Sequence, residues 1–208
     1  MNGLEFLTQL VLKNEKDIDE HLMTLCSLVL SVKPKKIIEL GVRTARSSLA
    51  FLIASQYTNS NLISVDINDM KPDFVFPDQL KNNWKFVKKD ALQFLERDFQ
   101  ILMADRKPEE PLIVYIDDWH DGIHVQKELE LIDSQIHPGD LVILHDLMYG
   151  NSQPHYRTES NPKDKQWGNG GPYAPISKLD LNIWEYVTIP RCHGLTILRR
   201  KSNFLVTD

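Results

Sequence analysis

The stretch KKIIELGVRTARSS, Lys35 to Ser48, decides how the rest of the chain is read. A short apolar run ends at Glu39-Leu40-Gly41, in the manner of a buried strand feeding a turn. A phosphate-cradling loop would continue with further glycines, because a pyrophosphate needs close approach of the backbone. Val42, Arg43, Thr44, Ala45 and Arg46 follow instead. A turn with one glycine suits a ligand that brings no phosphate to it.

Working outward, residues 46–56 carry Leu49, Leu52, Ile53 and Gln56 at helical spacing, and NLISVDIND then reads as a second strand ending in acids. Pro72 and Pro77 allow at most a short helix in the segment that follows. WKFVKKD is a strand, ALQFLERDFQILMA a helix and PLIVYIDD a fully buried strand. Asp121 can cap the next helix, whose core face is Val125, Leu129, Ile132 and Ile136; Pro138-Gly139 turns the chain into a fifth strand, DLVILHDL. Upstream, Ile18, Leu22, Leu25 and Val29 predict a helix over 17–31 with Asp17 and Glu20 as a capping box. Near-continuous apolar strands separated by amphipathic helices predict an α/β, doubly wound, parallel sheet. WEYVTIP and GLTILRRK are joined too closely for a parallel crossover, so they close the sheet as a C-terminal antiparallel hairpin.

The length of 208 residues fits one globular unit, divided here into an N-terminal helical segment, 1–33, and a ligand-binding domain, 34–208. A formal charge of −5 argues against a general nucleic-acid or anionic-membrane surface. No apolar run approaches the roughly 20 residues needed to span a bilayer. The N-terminus lacks a basic n-region, and Cys26 and Cys192 are far apart, so a cytoplasmic protein with reduced thiols is expected. The oligomeric state stays open, a homo-oligomer included.

Ligands of open α/β sheets bind beyond the carboxyl ends of the strands. Those ends are Glu39–Gly41, Asp66–Asp69, Asp90-Ala91, Asp117-Asp118 and His145-Asp146, so each of the five strands ends in a carboxylate. Asp66, about 20 residues after the first turn, is placed to accept from ribose hydroxyls. The free N–H groups near Ser47 can meet a ligand carboxylate. An amino-acid group plus a ribose, with no phosphate, favours S-adenosylmethionine over NAD.

Together, IIELGVRTARSS, LISVDIND, KKDALQFL, IDDWHDGIHVQKELE, IHPGDLVILHD and the closing hairpin resemble a class I S-adenosylmethionine-dependent methyltransferase. The nearest likeness is to small-molecule and sugar O-methyltransferases and cephalosporin-biosynthesis methyltransferases, with D-x-x-H after the fourth strand. The resemblance spans roughly Ile37 to Arg200 and implies a seven-stranded, mostly parallel Rossmann-like sheet. It implies that Glu39, Gly41 and Ser47 line the methionine portion of the cofactor. Asp66 would bind the ribose, Asp90 and Ala91 would border the adenine, and Asp117 would face the sulfonium. Two departures stand out: Ala45 replaces a second glycine, and Asp140 replaces a glycine of the turn before the fifth strand.

A methyl transferase must orient an acceptor oxygen and dispose of its proton. The candidate groups are His120, His145 and Asp146. In related O-methyltransferases acids after the fourth and fifth strands bind Mg²⁺, which would assign Asp117, Asp118 and Asp146 to a metal here. The implied acceptor is a hydroxyl of a small molecule or sugar. His124 is expected at the surface, and His193, Trp184 and Tyr186 are expected to be structural. Arg43 and Arg46 are either solvated or meet an anionic acceptor. The polar segment 148–171 is either a lid carrying Tyr149, Tyr156 and Trp167 or a surface loop. Two other readings remain at this point, a non-catalytic relative of the fold, hinted at by Ala45, and an NAD-dependent oxidoreductase.

Overall fold

The computed structural model describes residues 3–148 and 164–202. It opens with helices α1 (Gly3–Lys13) and α2 (Leu22–Val32), followed by β1 (Lys36–Leu40), α3 (Arg46–Thr58) and β2 (Asn61–Asp66). Next come β3 (Trp84–Lys88), α4 (Ala91–Gln93), a π-helical turn over Phe94–Phe99 and α5 (Gln100–Met103). The chain continues through β4 (Leu112–Ile116), α6 (Gly122–Asp133), β5 (Leu141–Leu144), α7 (Tyr173–Ile176), β6 (Trp184–Ile189) and β7 (Leu195–Arg200). The sheet order is β3-β2-β1-β4-β5-β7-β6, with β7 antiparallel to both of its neighbours. The expected doubly wound sheet and closing hairpin are both present. Chain order reverses at β1, between β2 and β4, which puts the ligand crevice at the ends of those strands.

The pleat sorts each strand into two cores. Ile37, Ile113, Tyr115 and Ile143 pack with α1, α2 and α3 on one face. Ile38, Leu40, Val114, Ile116, Val142 and Leu144 pack with the π-helical turn, α6 and α7 on the other. Leu7 and Leu10 of α1 belong to the first of these cores. Among the described residues no helix is long and apolar enough to cross a membrane.

Several local readings change. The predicted helix at 17–31 begins as a 3₁₀ turn, Asp17–His21, and neither Asp17 nor Glu20 closes a capping box. Asp19 takes that part, its Oδ2 accepting from the amides of Glu15 and Lys16 at 3.0 Å each. Arg46 is not solvated, and its guanidinium is taken up by carboxylates of the chain itself. It is buried, donating to Asp19 at 2.5 Å and to Asp73 at 2.8 Å, which ties α3 to the segments before and after it. Asp140 is more than a turn residue: it forms a buried two-pronged pair with Arg106, both contacts 2.9 Å, and accepts from the amides of Leu112 and His137. Trp184 packs under Arg200, as expected of an edge strand.

Candidate functional site

Gly41 explains the opening stretch. Its φ is +87°, and a Cβ there would lie 2.2 Å from the Asp117 carbonyl oxygen. The first turn therefore presses directly on the backbone leaving β4, and only glycine permits that approach. Ala45 also sits in the left-handed region, at φ 59°, but its methyl is wholly buried in the α1–α3 core. The side chain thus points away from the crevice.

The crevice is a cavity of about 450 Å³ lined by Gly41, Arg43, Asp66, Asp90, Ala91, Asp117, Asp118, Trp119 and His124, among others. This volume lies in the range of small-molecule and cofactor pockets, about 300–1,000 Å³. Asp66 stands next to the first turn, with Oδ2 accepting from the amides of Val42 (2.9 Å) and Arg43 (3.2 Å) and Oδ1 from that of Asn68 (2.8 Å). A carboxylate offers about four lone-pair positions, so one is left open toward the cavity. Asp90 caps α4 through the amide of Gln93 and still borders the cavity beside Ala91.

Glu39 behaves differently from expectation. It shares the α3 face of the sheet with Ile37, pairs in register with Ser64, and is fully buried. Its two oxygens accept from the hydroxyls of Ser47 (2.6 Å), Ser48 (2.6 Å) and Ser64 (2.5 Å). Burial raises its pKa to about 7 in spite of those three bonds, and the charge of Asp117 adds to the rise. Glu39 therefore braces the first turn from beneath and does not line the cavity. Ser47 both holds Glu39 and reaches a smaller recess beside Gly41 and Asp117.

At the other end of the rim the side chains converge. His120 Nε2 lies 3.5 Å from both Asp117 Oδ1 and Asp146 Oδ2, and its ring stacks on Trp167 with centroids 4.2 Å apart. His145 Nδ1 is 3.3 Å from Asp117 Oδ1 and 3.1 Å from Asp146 Oδ1. The Tyr115 hydroxyl donates to Asp117 Oδ2 at 3.0 Å. Burial alone would raise Asp117, but the His145 charge and bonds from both histidines hold it well below the carboxylate range. Burial lowers His145, yet Asp117 and then Asp146 overcome this and bring it to about 9. His21 supports His145 from behind, edge to face at 5.5 Å, with its Nε2 donating to the Arg191 carbonyl.

Of the three acids expected to hold a metal, Asp117 and Asp146 converge, and the third partner is His120: one ligand atom from each lies within 4.8 Å of the others. Asp118 turns to the opposite face of the sheet, as the pleat requires of neighbours, and meets His124. His124 is thus half-buried and engaged, not a surface residue. Sequence reasoning missed Glu128, which is fully buried on α6. The signal was its spacing, three residues after Val125 and four before Ile132, both on the apolar stripe. Of the expected lid, Trp167 covers His120, while Tyr149 and Tyr156 lie outside the described residues.

A family model described as rhamnosyl O-methyltransferase/CmcI matches residues 1–195. No curated protein matches the chain significantly in sequence. Among solved structures, the SAH-bound methyltransferase PaMTH1 of Podospora anserina superposes with a TM-score of 0.60 at 14% identity, covering 97% of this chain and 89% of its own. An O-methyltransferase from Bacillus cereus, in complex with SAH, gives 0.60 at 14% identity, covering 96% and 90%. The MycE methyltransferase of the mycinamycin pathway, solved with Mg and SAH, gives 0.56 at 15% identity, covering 88% of this chain and 50% of that one.

Proposed function

Because the chain belongs to the rhamnosyl O-methyltransferase/CmcI family and is an S-adenosylmethionine-dependent O-methyltransferase, we propose that Asp117, His120, His145 and Asp146 form its acceptor-activating centre. The acceptor is proposed to be a hydroxyl of a small molecule or sugar. S-adenosylmethionine supplies the electrophilic methyl, so the chemistry left to the protein is positional and protonic. Gly41, Asp66, Asp90 and Ala91 wall the cavity that suits the adenosyl portion. Asp117 stands where that cavity meets the histidine cluster.

The observation carrying this reading is the seat of His120, held between Asp117 and Asp146 at 3.5 Å and stacked on Trp167. In this role His120 Nε2 takes the acceptor proton as the oxygen attacks, and the two carboxylates steady the resulting imidazolium. His145, braced by His21, fixes both carboxylates. The test is methyl transfer from labelled S-adenosylmethionine to a panel of sugar and phenolic hydroxyls, with wild-type protein and His120→Ala. A transfer rate unchanged in the variant would defeat the assignment.

A second reading is favoured by the convergence of Asp117, His120 and Asp146. Mg²⁺ is bound through one or two carboxylates plus substrate oxygens, and Asp117 and Asp146 would hold it. The ion would lower the pKa of the acceptor hydroxyl. Chelator treatment separates the two readings: an undiminished rate supports His120 as base, and a rate restored only by added Mg²⁺ supports the ion.

A further inference from the structure

A second cluster lies on the other face of β4. Asp118 follows that strand, and His124 and Glu128 stand one turn apart on α6, so they share a helix face. His124 Nε2 is 3.1 Å from Asp118 Oδ2 and 3.5 Å from Glu128 Oε1. One ligand atom from each of the three residues lies within 4.8 Å of the others. Glu128 is 0% exposed, and neither of its oxygens has a hydrogen-bond partner among the described residues. Asp118 Oδ1 is likewise without one.

Positive charge here is short by one: burial lowers the His124 pKa, yet its contacts with Asp118 and Glu128 overcome this and bring it to about 10, so one imidazolium faces two carboxylates. A buried carboxylate persists when donors or a cation meet it. Here two carboxylates face one imidazole, and the single N–H that Nε2 can carry leaves three acceptor atoms unmet. A divalent ion balances both charges at once. The spacing suits it, since ligands about 2.1 Å from a tetrahedral ion stand about 3.4 Å apart. One imidazole nitrogen with two carboxylate oxygens is a donor set for zinc or manganese, more than for the all-oxygen preference of magnesium. Asp118 and His124 also line the cofactor cavity, which provides an entry path and an open coordination position.

We propose that Asp118, His124 and Glu128 form a divalent transition-metal site, separate from the His120 centre, with its open position facing the cavity. The site does not depend on which residue acts as base in methyl transfer.

The test uses the full chain, stripped with chelator and titrated with Co²⁺ alone, read by visible absorption and by metal analysis. Asp146→Asn is the background, because it removes a ligand from the His120 centre and Asn tolerates the left-handed backbone at this position, φ 62°. One Co²⁺ per chain is expected in that background. Adding His124→Asn or Glu128→Gln should weaken binding at least about tenfold, the scale on which even outer-shell partners act. Circular dichroism verifies folding of each variant, and Asp118→Asn serves if either helix variant fails. The proposal is overturned if Asp146→Asn binds no ion, which would leave a proton shared between Asp118 and Glu128. Undiminished binding in the double variants overturns it equally.

Discussion

Glu39 and Glu128 are both fully buried carboxylates, one behind each half of the same rim, yet their surroundings are opposite. On the β1–β2 side Glu39 accepts from three serine hydroxyls and Asp66 from three backbone amides. On the β4–β5 side Asp117, Asp118, Asp146 and Glu128 meet histidines, one tyrosine hydroxyl and each other. A carboxylate whose lone pairs are filled by its own fold shapes a cavity. One that depends on titratable partners is free to exchange protons or ions. The row of strand-end acids therefore divides into a half that holds the crevice open and a half that can act in it.

The largest effect is expected where the halves touch. Gly41→Ala sets a Cβ 2.2 Å from the Asp117 carbonyl and 2.8 Å from the Asp118 Cα, neither of which can withdraw without moving β4. Overpacking plus the left-handed φ should cost about 3–5 kcal/mol and abolish S-adenosylhomocysteine binding. Urea denaturation and calorimetry measure the two losses. A well-folded variant with normal cofactor affinity would mean that the halves do not depend on this contact.

His120→Ala tests the acting half alone. It should lower kcat about 10²–10⁴-fold while cofactor affinity changes little, because His120 lies outside the wall of the β1–β4 crevice. Steady-state kinetics paired with calorimetry checks this. A matching loss in cofactor affinity would make His120 part of the holding half instead.

Glu39→Gln tests the holding half. In the folded chain Glu39 titrates at about 7, against about 4.5 when unfolded. Between those values the native state binds more protons, so its contribution to stability is full below about pH 4.5 and lost as pH rises through 7. The swing is on the order of 3 kcal/mol and flattens above pH 7. Urea midpoints from pH 5 to 8 should thus fall more steeply for the wild type than for Glu39→Gln. At neutral pH the variant should leave kcat within a few-fold, in contrast to His120→Ala.

How much of this could be read from the residues depends on the range of the interaction. The strands, the hairpin and the rim acids follow from local apolar patterns and short connections, and the fold contains them all. Which acids hold and which act depends on contacts across the sheet. Ser64 reaches Glu39 only through the β1–β2 register, and Asp118 parts from Asp117 only because the pleat alternates. Helix α1 falls inside the expected helical segment 1–33, but its seat on the sheet is set by the burial of Leu7 and Leu10 against distant residues, which no local pattern shows. Glu128 is hard to see in the sequence because a charged residue beside an apolar stripe ordinarily marks the solvated border of the helix.

Ala45→Gly should have the smallest effect, and its argument runs against the expectation drawn from the missing second glycine. Ala45 holds a left-handed φ of 59°, where glycine is favoured by about 1 kcal/mol. Its methyl is completely buried among core residues, and deleting a buried carbon costs about 0.8 kcal/mol. The two terms nearly cancel, so the urea midpoint should move by less than about 1 kcal/mol in either direction. Because the methyl faces the α1–α3 core and not the crevice, S-adenosylhomocysteine affinity should also stay within about twofold, the noise of such a small term. Affinity rising severalfold in the glycine variant would mean that the alanine strains the first turn after all. Glu39 and its serines would then be a compensation for a distorted loop, and the holding half of the rim would be less rigid than its filled lone pairs imply.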